Sequence, residues 1–169
     1  GHDVVEAIPP RFDETVEMWS ATLNAQLSVM QPLLDRVLGQ DARQFLEYGR
    51  QKIPQLDQSA VPFLHAQRHE LAREWSEWFV KYDVLVSPTW ALPAFTHGFD
   101  VQDLASAEVV LETFRPVLAA NLFGSPAAVV PAGISEGLPV GVHVSSWRYR
   151  DLLCLDVASV IDQQLGLAT

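Results

Sequence analysis

The stretch Asn121–Val144 reads Asn-Leu-Phe-Gly-Ser-Pro-Ala-Ala-Val-Val-Pro-Ala-Gly-Ile-Ser-Glu-Gly-Leu-Pro-Val-Gly-Val-His-Val. It contains two short runs of small and β-branched residues, 127–130 and 140–144, and glycines and prolines bound both runs. Such runs favour buried strands, and the residues around them favour turns. The stretch therefore predicts two neighbouring strands joined by a tight loop, and the spacing alone predicts no chemistry.

Upstream of this stretch, the pattern predicts a long amphipathic helix. From Phe12 to Val37 the apolar residues recur every three or four positions, which is the helical period. Asp13 is the expected N-cap, because its carboxylate can accept the free amide hydrogens of the first turn. Pro32 lacks an amide hydrogen, so we expect it to kink the helix or split it near Met30.

Two further helices complete the first half. A short helix is expected from about Asp41 to Tyr48, after Gly39 and before Gly49. Ser59 is the expected N-cap of a long helix that tolerates Pro62 in its first turn. Apolar and aromatic side chains share one face of that helix, which predicts deep packing: Leu64, Leu71, Trp75, Trp78, Phe79 and Tyr82.

Strand signals appear at both ends of this helical region. Residues 83–87 form an apolar run of the kind buried in a parallel sheet between two layers of helices. The loop that follows, as far as Asp103, is long enough to carry function. Val4–Ile8 is expected to be a short strand that ends at Pro9 and Pro10.

Helices are also predicted on both sides of the strand pair. Residues 105–114 and 117–123 precede it, and a final helix at 150–165 follows it. That last helix is expected to bury Leu152, Leu155, Ala158, Ile161 and Leu165. The order of elements predicts an α/β fold, a mixed sheet flanked by helices, with a helical part at about 12–82 and a sheet-containing part at about 83–165.

Length and composition restrict the function classes. The 169 residues are enough for one ordinary domain, and 49% of them are apolar. No apolar run is long enough to span a bilayer, so we expect a soluble, cytoplasmic protein without a membrane partner. A net charge of −10, with Lys52 and Lys81 as the only lysines, argues against nucleic-acid binding. The single cysteine, Cys154, is expected to be a small buried hydrophobe.

His65 and His69 lie four residues apart, the spacing that places two imidazoles on one helix face and could hold a metal. No third ligand is evident, and the segment lacks the second histidine of a zincin motif. The sequence therefore predicts two partly exposed histidines, with no metal and no cofactor.

The order N-x-x-G-x-P-A-x-x-x-P-x-G, then G-L-P-V-G-V, resembles the C-terminal part of the amidase signature family. The upstream run Asp-Val-Leu-Val-Ser-Pro-Thr extends the resemblance, which covers residues 1 to about 165 of the 169. Members of that family hydrolyse acyl amides through a Ser-Ser-Lys triad. The resemblance implies an amidase fold, a small-molecule amide substrate and a serine acyl-enzyme.

The resemblance places no catalytic residue in this chain. The family uses a neutral lysine that draws a proton through a bridging serine from the nucleophilic serine, beside a Gly/Ser-rich loop. Here the only Ser-Ser pair, Ser145-Ser146, lies between Val144 and Trp147 without adjacent glycines, and the two lysines resemble solvated charges. A set of Ser, His and Asp that uses His97 or His143 has no spacing to support it.

The resemblance implies instead that this C-terminal part forms the wall of the substrate pocket. By resemblance, residues before Asn121 and at Tyr149 face that pocket, and five side chains would form an apolar, aromatic lining: Trp90, Phe114, Val117, Leu118 and Tyr149. Each is equally compatible with the core. His143 stands where the family commonly has glutamine, on the opposite strand face from Val142 and Val144. It either points towards the site or pairs with a buried neighbour.

The expected partner is an N-terminal amidase segment or chain that carries the lysine and both serines. Residues 1–7 resemble the family's passage in which a helix closes at glycine and a strand begins, which implies that the chain starts inside a domain. Half a domain exposes apolar surface, which is typical of an interaction site. A second copy of the chain, in a homo-oligomer, is the alternative partner. The competing hypothesis is a non-catalytic module, either a truncated homologue or an amidotransferase-like subunit that serves as a scaffold.

Overall fold

The computed structural model describes residues 2–53 and 58–166. Nine helices and strands follow one another within them: α1 Phe12–Val37, α2 Gln40–Lys52, α3 Val61–Lys81, β1 Leu85–Pro88, α4 Leu104–Thr113, α5 Arg115–Phe123, β2 Ala127–Ser135, β3 Leu138–Ser145 and α6 Asp151–Leu165. Short 3₁₀ turns lie at Gln58–Ala60 and Phe99–Val101. The α/β architecture with a helical first half is confirmed.

The predicted strand pair is a β-hairpin. Strands β2 and β3 are antiparallel neighbours, and β3 lies in the middle of a three-stranded sheet of order β1-β3-β2. The connecting turn places Glu136 and Gly137 at φ values of 53° and 81°. Positive φ at both positions matches the right-handed twist of the strands, which explains how a two-residue loop joins them.

The expectation of a parallel-type strand at 83–87 was wrong. Strand β1 is a four-residue edge strand, Leu85–Pro88, and it pairs antiparallel with β3. Val86 is 50% exposed, so helices do not cover both faces here. A short apolar run has the same pattern in either kind of sheet, and only the direction of its neighbour distinguishes the two.

The strand expected at Val4–Ile8 is also absent: these residues have no regular secondary structure. Val4 is 90% exposed and Ile8 is 83% exposed. A β-strand needs a hydrogen-bonded neighbour, and no described strand pairs with this segment.

Helix α1 differs from expectation in two ways. It runs from Phe12 to Val37 without a break at Pro32, so the expected split is wrong. Its N-cap is Arg11, in the left-handed region at φ 46°, and Asp13 lies in the first turn instead. The guanidinium of Arg11 pairs with three carboxylates, on Glu14, Glu70 and Glu74, which fixes the start of α1 against α3.

The ends of α2 and α3 also shift. Helix α2 continues through Gly49 to Lys52, because one glycine inside a helix costs only about 1 kcal/mol. Helix α3 begins at Val61 after Ala60, so Ser59 lies in the preceding 3₁₀ turn and is not the N-cap. Near the strand pair, α4 ends at Thr113 and α5 begins at Arg115, so the break between them lies at Phe114. Arg115, where Pro116 disfavours helix, is already part of α5.

The core lies where α3 meets α1 and α5. On α3, the predicted aromatic face is confirmed at Leu71, Trp75 and Phe79, which are 2–3% exposed. These side chains pack against Met18 of α1 and Phe123 of α5. The Trp75 Nε1–H donates to Thr15 Oγ1 at 3.0 Å, so the indole is satisfied inside the core.

A second, smaller cluster joins the sheet to α6 through Val130, Val144 and Ala158. The expected buried face of α6 was partly wrong, since Leu152 is 76% and Leu155 is 57% exposed. Leu165 is also exposed, at 44%, whereas Ala158 is buried as expected. Cys154 is buried too, which confirms the prediction made for it. None of the helices in the described ranges combines the length and the apolar character that a membrane span requires.

Candidate ligand-binding cleft

A cleft of about 540 Å³ lies between the loop after β1 and the β2–β3 hairpin. Its volume falls in the range of ordinary small-molecule sites. Apolar side chains dominate the lining, which comprises Thr89, Trp90, Leu92, Ala94, Phe95, Val129, Val130, Pro131, Pro139, Val140 and Gly141. A site of this composition favours a ligand with an apolar or aromatic body.

Backbone hydrogen bonds hold the loop side of the cleft. The Thr89 N–H donates to the Gly141 carbonyl at 3.0 Å, and the Ala91 N–H donates to the Thr113 carbonyl at 2.8 Å. The loop is thereby fixed to β3 on one side and to the end of α4 on the other. Trp90, which lies between these two bonds, is held at the cleft wall by backbone that is already ordered.

Gly141 lines the cleft at a position that has no room for a side chain. A Cβ atom at this position would lie 3.0 Å from Thr89 Oγ1 and 3.3 Å from Val129 Cγ1, closer than side chains normally approach. The Thr89 hydroxyl is buried and has no hydrogen-bond partner in the described part of the chain. An unpaired buried hydroxyl is rare in a folded protein, and this one belongs to a residue of the cleft wall.

The structure brings Trp90 and Phe114 together. Their rings pack edge to face with centroids 5.6 Å apart, and Phe95 lies 6.2 Å from Trp90 on the other side. Phe114 in turn contacts Trp19, at 6.0 Å. Phe114 therefore supports the Trp90 ring from behind, while Trp90 and Phe95 face the cleft.

The other expected pocket residues are dispersed. Leu118 is 4% exposed within α5, and Val117 is half-buried. Tyr149 is 95% exposed, on a backbone with φ 67°, and takes no part in the aromatic row. Phe95 and Leu92 were not singled out from the sequence, although the unusual length of their loop indicated a functional segment.

His143 is buried in the centre of the sheet, at 4% exposure. Its Nδ1 lies 3.5 Å from Ser87 Oγ on the neighbouring strand, and Val129 is its partner on the other strand. Burial lowers the pKa of His143 below its ordinary value, because a charged imidazole would lose its hydration. A neutral imidazole beside a hydroxyl can exchange a hydrogen bond with it.

The serine pair and the two lysines, which the sequence does not favour as catalytic groups, make other contacts in the structure. Ser145 and Ser146 are both buried, and Ser146 Oγ donates to the Asp83 carbonyl at 2.6 Å. Lys52 pairs with Glu108, and the Lys81 ammonium lies 5.0 Å from the Tyr82 ring centroid. No group of three or more metal-ligating side chains occurs in residues 2–53 and 58–166. The described cleft can bind a ligand, but it brings no nucleophile and base together.

A family model for Amidase matches residues 1–155. The chain belongs to the amidase signature family. The chain spans 36% of the length of the indoleacetamide hydrolase of Bradyrhizobium japonicum, so that relative is about three times as long. Those two proteins are 32% identical over 172 aligned positions, which cover 99% of this chain.

Two further comparisons agree with this assignment. A glutamyl-tRNA(Gln) amidotransferase subunit of Deinococcus deserti is 39% identical over 101 residues, which cover 56% of this chain and 20% of that protein. A crystal structure of an amidase superposes with a TM-score of 0.71 at 21% identity, over 92% of this chain and 36% of that one. At that identity the superposition shows the amidase fold alone.

Proposed function

We propose that this chain is the C-terminal part of an enzyme that hydrolyses apolar or aryl acyl amides through a serine acyl-enzyme. In this account the chain supplies the sheet scaffold and the substrate wall. An N-terminal amidase segment or chain supplies the neutral lysine, the bridging serine and the nucleophilic serine. The cleft that Trp90 and Phe95 line is the observation that carries the proposal.

Charge and shape favour this class of substrate. Aromatic and aliphatic side chains make up most of the wall, Thr89 adds a hydroxyl, and none of the described lining residues is ionised. A charged acyl group would lose its hydration there without gaining a counter-ion. An aryl ring would instead pack against Trp90 and Phe95, and burying a ring of that size contributes about 1.5–3 kcal/mol. The indoleacetamide hydrolase relative is named for an amide with an aryl acyl group, which supports the same choice.

The wall residues have separate roles in this account. Trp90 contacts the acyl group, and Phe114 holds the Trp90 ring. Val117 and Leu118 have a supporting role in α5, the helix that follows Phe114. His143 stays neutral and contacts the Ser87 hydroxyl on the neighbouring strand. Tyr149, which is exposed in this chain, would become buried only against the N-terminal segment.

Exposed apolar surface supports the proposed partner. Val129 of β2 is 56% exposed and Ile134 is 76% exposed, on a strand whose outer edge has no described neighbour. Leu152 and Leu155 of α6 are also exposed. Unpaired edges and apolar faces of this kind are normally covered by further polypeptide.

Co-expression tests the proposal. The chain is produced with the segment encoded upstream of it, or with the matching segment of the Bradyrhizobium japonicum relative, and the purified complex is assayed on indole-3-acetamide and on acetamide. We expect hydrolysis of both amides by the complex and of neither by the chain alone. The aryl amide should have a kcat/KM at least about tenfold higher, as ring burial implies. A complex that forms but hydrolyses no amide would contradict the proposal.

The amidotransferase-like alternative rests on a different observation. The amidotransferase relative has the higher identity, 39%, although it covers only 56% of this chain. This alternative predicts a complex that binds partner protein but does not hydrolyse free aryl amides. The same assay therefore separates the two functions.

A further inference from the structure

A second groove lies between α1 and α3 and has a volume of about 380 Å³. It shares no lining residue with the cleft beside the hairpin. Six of its lining residues come from α1 and four from α3: Thr22, Ala25, Gln26, Ser28, Val29 and Met30, then Val61, Leu64, His65 and Arg68. The proposed amidase activity assigns this groove no role.

A smaller cavity of about 230 Å³ continues the groove towards α5. The two spaces have four lining residues in common, Thr22, Gln26, His65 and Arg68. The smaller cavity adds four more: Trp19, Leu23, Asn121 and Leu122. Arg68 therefore borders both spaces, at the point where an apolar groove meets a more polar pocket.

The guanidinium of Arg68 is held in one orientation. Its Nε and Nη2 both donate to the Leu122 carbonyl, at 2.9 and 2.6 Å. One edge of the planar group is thereby fixed, and the edge formed by Nη1 and Nη2 keeps free N–H groups. Arginine presents such an edge to a carboxylate in bidentate fashion, with little further loss of side-chain freedom.

This cation also lacks a counter-ion. In the described part of the chain, Arg68 forms no ion pair, whereas Arg11, Arg73 and Arg115 each bind carboxylates. Arg68 is half-buried, so water only partly replaces the missing anion. A partly desolvated, oriented cation beside apolar side chains favours an anion with an apolar body.

We propose that the α1–α3 groove binds an apolar carboxylate. Its carboxylate group pairs with the free edge of Arg68, within reach of His65 and Gln26. Its aryl or alkyl part lies along Val29 and Leu64. The net charge of −10 disfavours anions over the surface as a whole, so binding depends on this one guanidinium.

Calorimetry with matched probes tests this proposal on the purified chain. The probes are 4-phenylbutyrate and 4-phenylbutan-1-ol, which have the same apolar body and differ in the anionic group. We expect the carboxylate to bind at least about tenfold more tightly, because a bidentate charged pair is stronger than a neutral hydrogen bond. In Arg68→Gln, 4-phenylbutyrate should fall to the affinity of the alcohol.

Two variants make the outcome decisive. Arg73→Gln removes an exposed arginine from the same helix and should leave both affinities unchanged. Ala25→Phe fills the groove while keeping the guanidinium of Arg68, and it should abolish binding of both probes. It replaces Arg68→Gln if that variant loses helical circular dichroism. Equal affinities for the two probes, or 4-phenylbutyrate binding that survives Ala25→Phe, would overturn the proposal. Because no amide hydrolysis is measured, the result is independent of the proposed activity.

Discussion

Thr15 and Trp75 show how single polar groups are placed in this core. Thr15 is completely buried, and its hydroxyl donates to the Arg11 carbonyl while it accepts from the Trp75 indole. Both bonds are internal to the protein, so burial leaves no donor unpaired. The same pair joins the start of α1 to the middle of α3.

Thr15→Val keeps the shape of the side chain and removes the acceptor. The Trp75 N–H is then buried without a partner, which costs about 1–3 kcal/mol of unfolding free energy. Urea denaturation followed by tryptophan fluorescence measures the change. Thr22→Val, two turns later in α1, is the matched control, because the Thr22 hydroxyl bonds only the Met18 sulfur, and it should change stability by less than about 0.5 kcal/mol. Equal effects of both substitutions would contradict this assignment.

His143 makes stability depend on pH in a defined direction. Burial lowers its pKa in the folded chain, so the unfolded chain binds more protons as the pH falls below the ordinary histidine value. The contribution of His143 to stability is therefore present above about pH 6.5 and declines below it, until the pH passes the lowered pKa of the folded state.

Replacing the imidazole should remove this component. Between about pH 7.5 and pH 5.5, His143→Gln should lose less unfolding free energy than the unmodified chain, by at most about 1.4 kcal/mol per pH unit. Urea titrations at the two pH values give the difference. The substitution His97→Gln, at an exposed loop position, should retain the pH dependence of the unmodified chain. A pH dependence that is unaffected by His143→Gln would refute the role assigned to burial.

Trp90 is the residue on which the aryl preference depends. In the reconstituted enzyme, Trp90→Ala should raise KM for an aryl amide about tenfold, since it removes the ring that faces the acyl group. KM for acetamide should be unchanged. Phe63, an aromatic residue of α3 that is 73% exposed, gives the control Phe63→Ala. Steady-state kinetics on both amides checks the prediction, and an equal rise in KM for both would exclude a contact with the ring.

Among the elements, the β2–β3 hairpin depends most directly on its turn. Gly137 has φ 81°, a backbone region that costs other residues about 1–2 kcal/mol. Gly137→Ala should destabilise the chain by that amount. Gly49 lies inside α2 with open space where a Cβ atom would stand, so Gly49→Ala should be neutral or stabilising by up to about 1 kcal/mol. Thermal unfolding of both variants gives the comparison, and similar shifts would contradict it.

Local patterns were sufficient for this hairpin and for the long helices. Glycines and prolines flank the first strand run and precede the second, and the aromatic period of α3 predicts the face that forms the core. Patterns failed where the outcome depends on a distant neighbour. The run at 83–87 reads alike in parallel and antiparallel sheets, and Val4–Ile8 has strand composition but no described partner strand.

The cleft was only partly predictable for the same reason. Trp90 and its long loop were identified in advance, whereas Phe95 and Gly141 gain their roles from the packing of the loop on β3. Leu152 and Leu155 follow the helical period of α6, yet they face away from the sheet in this chain. The N-terminal segment that we propose would cover them.

At the scale of the whole molecule, the chain has a core of its own and also exposes apolar surface. The α1, α3 and α5 helices enclose a compact aromatic cluster, while β2 and α6 leave valines, isoleucine and leucines exposed. It spans 36% of the indoleacetamide hydrolase relative. We infer that the substrate wall and the reacting groups lie on separate parts of one enzyme.

Labelling with a serine-reactive fluorophosphonate tests this division most directly. The chain is treated alone and in complex with its N-terminal segment, and mass spectrometry locates the modified serine. We expect no adduct on the chain alone, and in the complex one adduct on the N-terminal segment that depends on its lysine. An adduct on a serine of this chain in the absence of the segment would contradict it.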